Sequence, residues 1–160
     1  MLLGFTGLKR CGKDTATAYV LSKFKKSSQL MLADPMKRGL MAMFGFTWEQ
    51  VNGINYDREQ IEPEYGVSIR HMLQTLGTEW GRNMINENIW LNRQAALMAE
   101  DPHTIYVMSD VRFENEANFC RKHGTLIHII ADKDHLGGED SHESEAGLLP
   151  MLGDRHIENR

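Results

Sequence analysis

Cysteine is scarce in this sequence, with only Cys11 and Cys120 among 160 residues. They stand far apart, with no partner spacing of the kind that builds a zinc site or a disulfide framework, so two reduced thiols are expected. Long apolar runs are absent as well. None approaches the roughly 20 residues that cross a bilayer, and the opening "MLLGFTG" has neither a basic leader nor a small-residue cleavage site. A cytoplasmic protein with no membrane partner is the expectation. An excess of base is also missing: 18 Lys and Arg stand against 22 Asp and Glu, a formal net charge of −4. That argues against broad nucleic-acid binding, yet leaves room for a small anionic substrate met by a local cluster of cations.

What remains is an ordinary globular composition, 41% hydrophobic and 25% charged, at a length that suits one domain over 1–160. Leu2 to Thr6 is a short apolar run closed by a glycine loop, which predicts a buried parallel strand. "DTATAYVLSKFKK" then carries Ala16, Val20, Leu21 and Phe24 at helical spacing, with Lys23, Lys25 and Lys26 at the end where cations suit the helix dipole. "QLMLA" (29–33) predicts a strand, Asp34-Pro35 a helix start, and 53–67 a loop. "TIYVMSD" (104–110) predicts a strand, "VRFENEANFCRKHG" a helix with a glycine stop, and "TLIHIIA" (125–131) another strand. The polar stretch 132–147, which contains His135 and His142, reads as a lid-like excursion, and "RHIEN" as a last strand. Alternating strands and helices predict an α/β fold with a parallel sheet and helices on both faces. Ligands of such sheets bind beyond the carboxyl ends of the strands. The glycine loop, Asp34 and Asp110 all fall at such ends.

"GLKRCGKDT", residues 7–15, has the Gly7-x-x-x-x-Gly12-Lys13 spacing of a phosphate-binding loop, in the strand-to-helix context that makes the pattern credible. Backbone N–H groups and the helix N-terminus would cradle phosphates, with Lys13 reaching the β- and γ-phosphates and Lys9 and Arg10 adding charge. Asp14 stands where a hydroxyl normally binds magnesium; it would act through water or stabilise the helix start, and Thr15 offers a hydroxyl one position later. This Lys-x-Thr order is similar to that of adenylate kinase and related nucleoside monophosphate kinases, and tilts the reading from hydrolysis to transfer.

"SIRHMLQTLGTEWGRNM" (68–84) carries two stripes. Ile69, Met72, Leu73, Leu76 and Trp80 predict a core face. Arg70, Gln74, Gly77 and Gly81 form a second line about a quarter-turn away, at ~100° per residue, with Thr78 on its border. Two glycines there cost a helix ~1 kcal/mol each. Either they clear room for a ligand that Arg70 and Gln74 would hold, or they allow close helix packing; spacing leaves both open. Asp110 and Arg112 end a strand, and Glu116 follows on the next helix. Asp110 would orient a magnesium-bound water and Arg112 would neutralise a transferring phosphoryl group, the plain alternative being an Arg112–Glu116 ion pair on the helix.

In order along the chain, "GLKRCGKDT", "RHMLQTLGTEWGR", "IW", "SDVRFENEA" and "DSHESE" resemble the phage-type deoxynucleoside monophosphate kinases. The resemblance implies a three-layer P-loop kinase fold with about five parallel strands. It also implies a helical acceptor-binding insertion near 45–100 and the lid near 132–147. It implies transfer of the γ-phosphoryl group of ATP to a deoxynucleoside 5′-monophosphate with Mg2+, small-molecule partners only, and the host cytoplasm as location if the source is a phage; a homodimer is compatible with it. Gly12, Lys13, Asp14 and Thr15 would hold the donor, with Lys9 and Arg10 near both substrates. The acceptor would meet Asp34, Lys37, Arg70, His71, Gln74, Gly77, Thr78, Trp90, Asp110, Arg112 and Glu116, although His71 stands where a lysine is expected. Metal contacts would fall to Thr15 and, indirectly, Asp110. Two alternatives stand beside this: a kinase of another phosphomonoester such as phosphomevalonate, and a non-catalytic nucleotide-binding module.

Overall fold

The computed structural model describes residues 1–8, 10–109, 111–131 and 148–159. It divides into two compact units, one of Met1–Met31 with Ala95–Arg160 and one of Leu32–Gln94. The strands are β1 (Leu2–Thr6), β2 (Ser27–Gln29), β3 (Ile61–Glu62), β4 (Val67–Ser68), β5 (Ile105–Met108), β6 (Gly124–Ala131) and β7 (Arg155–Asn159). The helices are α1 (Lys13–Lys23), α2 (Asp34–Phe44), α3 (Trp48–Asn52), α4 (Ile69–Gln74), α5 (Ile89–Glu100) and α6 (Glu114–His123), with a π-helix over Thr75–Ile85. In the first unit five strands form one sheet in the order β2-β5-β1-β6-β7, every pair parallel.

Strand alternation explains the layers. Leu3 and Phe5 of β1 point to one face with Ile105, Val107, Ile127 and Ile129, where they meet Ala16, Val20 and Leu21 of α1. Gly4 points to the opposite face, and a Cβ there would collide with the Cys120 thiol of α6. Glycine thus lets α6 lie directly on β1, and the sheet has a helix on each face as expected. The strand expected at 29–33 forms two residues earlier, with the Leu30 N–H extending the ladder to the Val107 carbonyl (2.8 Å). Phe24 was expected to continue the helical spacing of α1; the helix ends at Lys23, and Phe24 is extended and 46% exposed. Gly124 does not merely stop α6 but opens β6. "RHIEN" is β7, parallel to β6 at the edge of the sheet.

In the second unit Leu40, Phe46, Val51 and Ile69 form the core, with Met72, Leu73 and Leu76 packed against it. Pro35 lies in the first turn of α2 and Gly45 caps its end; Thr47 and Gln50 form a capping box for α3. The stretch expected as loop holds the two-residue hairpin β3–β4. The single helix expected over 68–84 is α4 followed by the π-helix. Its i→i+5 bonding turns less per residue than an α-helix, so the stripe drifts, and Trp80, expected in the core, is 44% exposed. Among the described residues no helix is long and apolar enough to cross a membrane.

Candidate functional site

Between β1 and α1 the chain makes the loop that holds Gly7, Arg10, Gly12, Lys13, Asp14 and Thr15. Gly7 (φ 145°), Arg10 (φ 65°) and Gly12 (φ 105°) all turn through positive φ, which bends successive peptides into a compact cradle. A side chain at Gly7 would run into the Ile129 carbonyl of β6, so glycine is needed there for space as well as for conformation. The Lys13 ammonium donates to the Gly7 and Leu8 carbonyls, each at 2.8 Å. The Cys11 N–H donates to the Leu8 carbonyl (3.2 Å), and its thiol is buried in the core. No described side chain caps α1, and its first turn carries Asp14 and Thr15, both exposed. A cavity of about 280 Å3 adjoins the loop, walled by Leu8, Ile129, Ile130, Ala131, Leu148 and Pro150 among others. Among the described lining residues only His128 can carry a positive charge and the rest are apolar, backbone, thiol or hydroxyl groups, so the loop amides, the helix start and Lys13 are the groups beside the cavity suited to an anion.

At the start of α6, Arg112 is exposed. Glu116 is buried, and its carboxylate accepts from the Arg112 N–H (2.9 Å) and the Phe113 N–H (3.2 Å). The Glu116 carboxylate thus caps the backbone at the start of the helix. Lys9, Asp110 and the lid-like 132–147 stretch, with His135 and His142, lie outside the described residues.

The remaining expected residues belong to the second unit. Asp34 pairs with Arg38 (2.8 Å) one turn along α2. The Lys37 ammonium donates to the Asn52 side chain (2.7 Å); burial, and then the Arg58 charge, push its pKa below the ordinary lysine value. Arg70 donates its N–H to the Arg58 carbonyl (3.0 Å), and its guanidinium meets Glu59 (3.0 Å). Arg58 thus couples electrostatically to Lys37 and joins Arg70 through its backbone carbonyl. Arg58 went unnoticed in sequence because it sits singly in a polar stretch; only its charge marked it. His71, Gln74 and Thr78 are exposed.

The glycines of the second stripe have a packing cause. A Cβ on Gly77 would lie 2.7 Å from the Met36 sulfur, and one on Gly81 2.6 Å from the Trp90 ring. The spaces beside both glycines are filled by protein. Trp90 donates its indole N–H to the Gly77 carbonyl (2.9 Å) and lies against Trp80, so it ties α5 to the π-helix.

Among the described residues no three His, Cys, Asp or Glu side chains form a metal cage. Magnesium held chiefly by phosphates needs only one or two protein oxygens, and Asp14 and Thr15 in the exposed first turn of α1 fit that demand.

The sequence model of the family described as "Deoxynucleotide monophosphate kinase" matches residues 1–63 and 61–160. A protein of Acanthamoeba polyphaga mimivirus that carries a provisional deoxynucleotide monophosphate kinase name is 32% identical over 162 aligned residues, 92% of this chain and 82% of its own. The deoxynucleoside-5′-monophosphate kinase of Escherichia phage T5 is 33% identical over 88 residues, 51% of this chain and 35% of that protein. The deoxynucleotide monophosphate kinase of Escherichia phage RB69 is 27% identical over 229 aligned positions, 99% of this chain and 93% of its own.

Proposed function

The chain belongs to the deoxynucleotide monophosphate kinase family, and from that premise we infer that it transfers the γ-phosphoryl group of ATP to a deoxynucleoside 5′-monophosphate, yielding the diphosphate and ADP. The observation that carries this is the loop: three positive-φ turns, a helix start that no described side chain caps and Lys13 in register. A nucleotide acceptor is favoured over phosphomevalonate by the family match, which runs across the whole chain.

In this reading the loop amides and Lys13 bind the donor phosphates, the ammonium exchanging its carbonyl partners for phosphate oxygens. Arg10, beside them, adds charge at the mouth of the loop. Asp14 and Thr15 would hold Mg2+, which when bound neutralises the donor's phosphate charge. The acceptor phosphate is met by Arg70 with Lys37 and Arg58; burial first, and then the Arg58 charge, lower the Lys37 pKa, and a bound anion would offset both. Gln74, Thr78 and His71 are placed on the acceptor's base and sugar, and Arg112 on the charge that develops during transfer. Asp34 and Trp90 are assigned to shaping this acceptor face through Arg38 and the Gly77 carbonyl.

The test is ADP release across the deoxynucleoside monophosphates with ATP and magnesium, followed by Lys13→Ala. The variant is expected to melt like the parent and lose ~10²-fold or more in turnover. Near-parental turnover would remove the loop from the chemistry.

A further inference from the structure

The loop is held in shape by a residue from the far end of the chain. Asn159, the last residue of β7, is in register with Ala131 of β6. Its side-chain amide donates to the Cys11 carbonyl at 3.1 Å, across 148 positions of sequence. The same nitrogen lies 3.0 Å from where a Cβ on Gly12 would stand. Cys11 is therefore fixed on three sides: its N–H by the Leu8 carbonyl, its thiol by the core, and its carbonyl by Asn159. The peptide between Cys11 and Gly12 is planar and trans, so the direction of the Cys11 carbonyl sets the opposite direction of the Gly12 N–H. That N–H is one of the donors at the mouth of α1.

We infer that Asn159 is a positioning residue for the donor: it touches no phosphate itself but aims the Gly12 amide by holding the Cys11 carbonyl. The inference rests on reading this loop as the ATP phosphate site. It gives the family's reaction a contribution from the sheet's exposed edge strand.

Three variants decide it: Asn159→Leu, which removes the donor without adding charge; Asn159→Asp, which keeps the shape and sets a carboxylate against the carbonyl; and Ile157→Ala, which trims a half-exposed side chain of the same strand. Direct ATP binding, KM for each substrate and thermal melting are measured on the full chain. Loss of one hydrogen bond to a positioned amide is expected to weaken ATP binding about five- to tenfold in Asn159→Leu, and further in Asn159→Asp. KM for the acceptor stays at the parental value, and Ile157→Ala binds ATP normally. A lowered melting temperature with unchanged ATP affinity would overturn the inference and leave Asn159 a structural pin of β7. Equal loss of affinity in Ile157→Ala would overturn it as well. Should Asn159→Leu not fold, Asn159→Asp decides on the same binding measurement. If the parental chain binds ATP but transfers nothing, the proposed activity fails while Asn159 is still judged by affinity. If the parental chain binds no nucleoside triphosphate, both readings fall.

Discussion

Arg70 and Glu116 were both assigned to the acceptor from sequence, and their surroundings give opposite forecasts. The Arg70–Glu59 pair is half exposed or more on each side, 50% and 66%, so it contributes little to stability and can be exchanged for a phosphate. Arg70→Ala is expected to leave the melting temperature within a degree or two, roughly the effect of a few tenths of a kcal/mol. It is expected to raise the acceptor KM about tenfold or more, the worth of a charged hydrogen bond, with the KM for ATP unchanged. Steady-state kinetics with each substrate varied in turn checks this. Glu116 is buried and caps the start of α6 through two backbone N–H groups. Glu116→Ala should lower unfolding free energy by about 1 kcal/mol, read from urea denaturation. An unchanged midpoint combined with a raised acceptor KM would return Glu116 to the role of direct ligand. No sequence rule separates the two readings of Glu116, because a carboxylate four positions after Arg112 looks the same whether it meets a side chain or the backbone.

The contact of α6 with β1 makes a forecast at the scale of elements. Gly4 has no room for a methyl group beneath Cys120, so Gly4→Ala overpacks the sheet–helix interface at a cost of about 1–3 kcal/mol. Adding Cys120→Ala should recover part of that loss, and denaturation of the single and double variants measures the coupling. Burial pushes the Cys120 thiol up to about 12, so it stays protonated at neutral pH and takes no part in thiol chemistry. The strand–loop–α1 unit was legible because the pattern changes period at the glycines, from a short apolar run to a helical stripe. The π-helix was not, since its wider turn leaves no signature on a wheel drawn at α-helical pitch. That misplaced Trp80 and made two packing glycines resemble a cleared ligand face. The two-residue strands β3 and β4 are too short for any periodicity to show, and β2 is a polar edge strand, Ser27–Gln29, whose apolar neighbours attracted the prediction.

Over the whole molecule the alternation of strands and helices was enough to give the parallel sheet, but not the network that secures its last strand. Asp154 lies in "LGDRHIEN" with nothing in the sequence to distinguish it. In the structure its side chain is 2% exposed. It accepts from Arg121 of α6 at 3.0 and 2.9 Å, meets His128 of β6 at 3.0 Å and accepts from the Met151 N–H at 2.9 Å. One carboxylate thus ties a helix, a central strand and the turn into β7. Arg121 first, then the Met151 N–H and His128, hold its pKa well below the usual carboxylate range despite burial. A depressed carboxylate contributes stability that is complete above its unfolded pKa of about 3.9 and is lost as pH falls toward the folded value. The parental melting temperature should therefore drop more steeply below about pH 4 than that of Asp154→Asn, which carries no titrating group there. At neutral pH the variant should already be destabilised, because Arg121 and His128 lose the charge they share. Melting curves of both proteins from pH 7 down to pH 2.5 test it. Parallel profiles would show that Asp154 is not the carboxylate through which acid loosens the sheet.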